Sequence, residues 1–142
     1  MAAATQAGRR PLPAIADRRR LWFGLDAVVT AANGAGYLAL AGLLDGVLGA
    51  GVPALRAAGA FLLGFGLLVG GYALRRSTGT RAGWVLVTVN AAWVVASLVV
   101  AAAGPGDLTT AGRVWIVLQA LVVGGLAVLQ AGTLRTGPQR RW

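Results

Sequence analysis

Four stretches of the chain are apolar almost without interruption: Trp22–Leu44, Ala54–Leu74, Gly83–Ala103 and Ala111–Leu134. Each is close to the ~20 residues that a helix needs to cross ~30 Å of hydrocarbon. The pattern predicts four membrane-spanning helices. The breaks between them are short. Asp45–Pro53 contains Gly46, Gly49 and Gly51, Arg75–Ala82 reads RRSTGTRA, and Gly104–Thr110 reads GPGDLTT. In the last, Asp107, Thr109 and Thr110 are candidate N-caps for the fourth helix. Loops this short make successive helices antiparallel neighbours. The expected fold is an all-α membrane protein, a four-helix transmembrane bundle of two αα-hairpins over residues 21–134. A basic tail at 1–20, which reads as flexible, and a second tail at 135–142 flank it. A shift of the chain onto itself lays Asn33 on Asn90 and Arg56 on Arg113, a faint sign of a duplicated hairpin.

Composition agrees with lipid as the solvent. Of 142 residues, 57% are hydrophobic and only 12% charged, and mean hydropathy is +0.71. A soluble domain needs about a quarter of its residues charged to cover its surface. The net charge of +9 is not the footprint of a nucleic-acid binder, because the Arg residues gather at particular ends of the apolar segments. Arg9, Arg10, Arg18, Arg19 and Arg20 precede the first. Arg75, Arg76 and Arg81 lie in the second break, and Arg135, Arg140 and Arg141 follow the fourth. The other two breaks are flanked only by Arg56 and Arg113, beside Asp45 and Asp107. This asymmetry predicts both termini in the cytoplasm, in a plasma membrane that the all-Arg, Ala- and Gly-rich composition suggests is a bacterial inner membrane. The first apolar segment follows the tail directly, so no cleaved signal peptide is expected. Trp22, Trp84, Trp115 and Tyr72 fall near segment ends, where such rings anchor at the interface.

The chain has no Cys and no His, and Lys and Glu are also absent from it. That removes disulfides, dithiol redox chemistry, imidazole bases and the usual metal ligands. No phosphate loop or nucleophile–base pair is present, Ser77 and Thr78 lack a neighbouring base, and no resident cofactor or catalytic group is expected. The candidate chemistry is intramembrane and polar. Asp26, Thr30, Asn33 and Tyr37 share one face of the first helix. Asn90, Trp93 and Ser97 form a matching stripe on the third, with Thr88 nearby, and Gln119 and Gln130 share a face of the fourth. Polar groups are costly against lipid tails, so the stripes should face one another inside the bundle. They read either as interhelical hydrogen bonds that fix register or as a polar pocket opening toward the cytoplasm with Asp26 at its mouth. Asp26 has a third reading, an interfacial ion pair with Arg18, Arg19 or Arg81. Gly66 and Gly70 make a GxxxG on the second helix, a packing face for a neighbour in the bundle or for a second copy of the chain.

The stretches LDAVVTAANGAGYLAL at Leu25–Leu40 and VTVNAAWVVASLVV at Val87–Val100 resemble a group of small four-span integral membrane proteins of actinobacteria and related bacteria. Asp26, Asn33, Asn90 and Trp93 carry the likeness most specifically, and it extends over about residues 20–133. It implies the four-span topology and assigns no activity. The chain does not fit the small multidrug exporters, which rely on a buried Glu, nor the four-helix disulfide and quinone oxidoreductases, which need Cys pairs. Three functions stay open. One is a non-enzymatic accessory or scaffold protein that binds a lipid or another protein. Another is an oligomeric transporter or ion pathway using Asp26 and the Asn33/Asn90 stripe. The third is a binder of a lipophilic, quinone-like cofactor, with Trp93, Tyr37 and Asn33 lining the site. The partners expected are the lipid bilayer, and a protein partner or further copies of the chain.

Overall fold

A computed structural model describes residues 15–75 and 79–136 of the chain. Its helices are α1 (Ile15–Leu48), α2 (Val52–Leu74), α3 (Thr80–Ala103) and α4 (Thr110–Arg135), and all four are long and apolar enough to cross a membrane. The protein is a four-helix transmembrane bundle. Leu43, Leu67, Leu68, Leu74, Leu121 and Val128 lie on its outer surface and are each about two-thirds exposed or more. A helix that is apolar all round fits a lipid environment, where outward-facing Leu and Val need no cover.

The spans are placed as the hydropathy pattern predicts, with two differences in extent. α1 starts at Ile15 rather than after a flexible tail ending at residue 20, because Arg18–Arg20 are good helix formers and continue the first span. Residues 1–14, the loop residues Arg76, Ser77 and Thr78, and everything beyond Thr136 lie outside the described residues. The break expected over Asp45–Pro53 is much tighter. α1 runs to Leu48 and α2 restarts at Val52, because Gly49 and Gly51 adopt positive φ angles and complete the reversal in three residues. The Asp45 carboxylate accepts from the Gly51 N–H at 2.7 Å, and Pro53 enters the first turn of α2, where its missing N–H costs no hydrogen bond. α1 also breaks at Leu40 (φ −115°, ψ 17°), between Gly36 and Gly42.

The two hairpins are built differently. α1 and α2 approach closely because glycines line their seam. A Cβ on Gly34 would collide with the α2 backbone at Leu63 and Gly59, and one on Gly66 would sit 2.6 Å from the Ala31 nitrogen. α1 also packs on α4, and α4 on α3, while α2 and α3 meet chiefly through side chains. Phe61 of α2 stacks on Trp93 of α3 with ring centroids 5.2 Å apart. Two apolar clusters fill the interior. One, around Phe23, Phe65, Val69 and Tyr72, occupies the Arg-rich end. The other, around Tyr37, Ala41, Leu48, Leu55 and Leu62, occupies the opposite end.

At that opposite end the Thr109 side chain ties the start of α4 to the end of α1. Thr109 is the N-cap of α4, accepting from the Gly112 N–H, as the GPGDLTT turn predicts. Its hydroxyl also lies 2.8 Å from the Val47 carbonyl and its N–H donates to the Leu48 carbonyl at 3.0 Å. α3 ends in Gly104 in the left-handed conformation (φ 57°), with the Arg113 guanidinium packed against it. A cation at a helix C-terminus complements the macrodipole there.

Candidate functional site

Asp26 and its partners occupy the half of the bundle nearer the Arg-rich end. The carboxylate is fully buried and receives three hydrogen bonds from three helices. Thr30, one turn on in α1, donates to Oδ1 at 2.9 Å. Asn90 of α3 and Gln130 of α4 each donate to Oδ2 at 2.7 Å. The Asn90 amide also contacts Gln130 Oε1 at 3.3 Å, closing a ring. All three donors are uncharged. The interfacial ion pair with Arg18, Arg19 or Arg81 is not formed: the Arg19 guanidinium instead reaches the Thr133 carbonyl at 3.1 Å. Nor does Asp26 stand at the mouth of a pocket at this end: it is fully buried, and Phe23, Val69, Tyr72 and Leu134 belong to a buried apolar cluster in the same half of the bundle. The ring's geometry joins α1, α3 and α4 in one register.

The other half of the bundle is arranged differently. Tyr37, about three turns beyond Asp26 on α1, is 6% exposed. Trp115 Nε1 and Gln119 Nε2, both on α4, each lie 2.7 Å from its hydroxyl. This trio borders a cavity of about 370 Å³ lined by all four helices. Leu55 and Ala58 of α2, Trp93, Ala96 and Ser97 of α3, and Gly112 and Ile116 of α4 form its walls, and Leu48, Pro105 and Leu108 close its outer end. Small residues help leave the room: Ala54, Ala58 and Ala96 line it from α2 and α3, whereas Gly112 is pressed against the Leu48 carbonyl. Exposed Ala54, Ala96 and Val100 lie on the facing edges of α2 and α3, so the cavity opens sideways between those helices. Its volume falls within the range of small-molecule sites, and an apolar wall with a few convergent polar groups is their usual lining.

The polar positions expected to form one continuous stripe therefore divide. Asp26, Thr30, Asn90 and Gln130 make the ring, and Tyr37, Gln119, Trp93 and Ser97 border the cavity. Asn33 joins neither. It is half-buried and its side chain makes no hydrogen bond among the described residues, although it shares a helical face with Asp26 and Tyr37. Asn33 and Asn90, equated by the possible repeat, thus have different surroundings. Thr88 is exposed and bonds back to the Trp84 carbonyl at 2.9 Å. Of the GxxxG pair, Gly66 is pressed against Ala31, whereas Gly70 has only an ordinary contact with the Ala27 Cβ at 3.5 Å. That face is occupied by α1.

Two residues expected at the membrane interface have other roles. Tyr72 is buried and donates to the Gly79 carbonyl at 3.1 Å, and Trp115 turns its N–H inward to Tyr37. The spacing of Trp115 and Gln119, four residues apart on α4, is the sequence signal that could have paired them on one face. In comparison with protein-family models, curated proteins and solved structures, nothing matches this chain.

Proposed function

We propose that this is a non-enzymatic binding protein of the plasma membrane that holds a lipophilic small molecule in the cavity between α2 and α3. The observation that carries the reading is the cavity itself, apolar in its walls and bordered by the Tyr37–Trp115–Gln119 trio. The Asp26 ring supports it from the other half of the bundle. Three helices fixed in register there give the cavity a rigid base, while the small residues of α2 and α3 leave room above. The Arg asymmetry supports an orientation with the ring half and both termini toward the cytoplasm and the cavity half toward the outer leaflet. The bilayer is then both solvent and source of ligand.

Native mass spectrometry of the protein, released from its own membranes in mild detergent, tests the proposal. A discrete added mass on the 14.4 kDa chain, displaced by Ala96→Phe, is the expected result. A bare chain from membranes and after incubation with a total lipid extract would overturn it.

A further inference from the structure

The hydrogen-bonding groups at the cavity wall define what the ligand must present. Trp115 brings one N–H, Tyr37 one O–H and Gln119 two N–H groups. With Trp115 Nε1 and Gln119 Nε2 both donating to the Tyr37 oxygen, the Tyr37 O–H and the second Gln119 N–H have no acceptor among the described residues. Turning the Gln119 amide over lets Tyr37 donate to Oε1 and leaves both Gln119 N–H groups unused. Either arrangement leaves two donors. The second, which also satisfies the Gln119 carbonyl, leaves donors alone. A donor without a partner in an apolar wall is costly.

We infer that the ligand places a carbonyl oxygen against Tyr37 and Gln119, with its apolar body between Trp93 and the alanines of α2 and α3. This rests on the binding function proposed above and narrows it to one chemical class. Among membrane molecules that carry such an oxygen are ring ketones and lipid esters. The cavity suits the carbonyl-bearing end of either, and the lateral opening leaves a long tail in the bilayer. The Phe61–Trp93 stack stiffens the wall opposite the donors, so that the carbonyl end meets a fixed apolar face.

The experiment uses matched probes that differ at the carbonyl. Binding of 2-methyl-1,4-naphthoquinone is compared with 2-methylnaphthalene, and of monoolein with its ether analogue, by titration calorimetry on the detergent-solubilised protein. At least one carbonyl probe should bind about tenfold more tightly than its partner, and which pair shows the preference identifies ring or ester. In the Tyr37→Phe/Gln119→Leu double variant the preference should vanish while the carbonyl-free probe binds as before. Equal affinity within both pairs in the wild-type protein would overturn the carbonyl assignment and leave the binding function standing. Absence of binding by all four probes would remove both. The wild-type comparison decides the matter even where the double variant fails to fold.

Discussion

The Asn90 amide donates to the Asp26 carboxylate at 2.7 Å across 64 positions of sequence, joining the first helix to the third, which it otherwise scarcely touches. Gln130 adds the fourth helix to the same oxygen. One carboxylate is thus the meeting point of three helices, and only α2 is held by other means.

Substitution at Asp26 should separate a structural ring from a proton or cation pathway. Asp26→Asn keeps the shape and one acceptor oxygen, which can still take Asn90 and Gln130 while its new NH2 donates to the Thr30 hydroxyl, and should cost about 1 kcal/mol. Asp26→Leu strands Thr30, Asn90 and Gln130 and should cost about 3 kcal/mol. Equilibrium unfolding in mixed micelles reads both. A negligible cost for both would show that the ring contributes no stability. Loss of cation-coupled flux in Asp26→Asn proteoliposomes, with folding intact, would assign Asp26 to transport.

The seam between α1 and α2 predicts a contrast between two glycines two residues apart. Gly66→Leu forces Cβ into the Ala31 backbone and should destabilise by about 2 kcal/mol or more. Gly64, whose Cβ would meet nothing within 4 Å, should accept Leu within about 0.5 kcal/mol. The same unfolding assay compares them.

Thr109 caps α4 and ties it to the end of α1. Thr109→Val keeps the volume and removes the hydroxyl, and should cost about 1–2 kcal/mol. Hydrogen exchange at the Gly112 amide should rise with it. Unchanged exchange there would show that the cap is not formed in the membrane.

Orientation is open to direct measurement because the chain has no Cys. A membrane-impermeant maleimide added to intact cells should label Asp107→Cys and leave Thr136→Cys unlabelled until the cells are opened. The reverse pattern would invert the topology.

Much of the fold is legible in the residues because lipid imposes a simple rule: a continuous apolar run of ~20 residues must close its own backbone hydrogen bonds as a helix. The partners of Asp26 are legible for the same reason, since Asn90 and Gln130 have nowhere in hydrocarbon to go except toward another polar group. Asn33 escaped that logic. It lies on the same face as Asp26 and Tyr37, but a shared face does not guarantee a partner at the same depth on the neighbouring helices, and hydropathy carries no information about that depth. The cavity was hidden for a related cause. Ala58 and Ala96 read in sequence as ordinary span residues, and only the spacing of α2 from α3 turns them into empty space. Trp115 looked like an interface anchor because its distance from the segment end says nothing about which way its N–H points.

Under the binding function proposed above, the Thr109 clasp also bears on how a molecule would reach the cavity. With the two outer turns fastened together, the water-facing end cannot part unless both hairpins move, so traffic runs through the side of the bundle, from the lipid. A guest arriving that way has already left water. Occupancy is then governed by its mole fraction among the surrounding lipids, and a sparingly soluble molecule that is abundant in the bilayer can saturate a site of modest intrinsic strength.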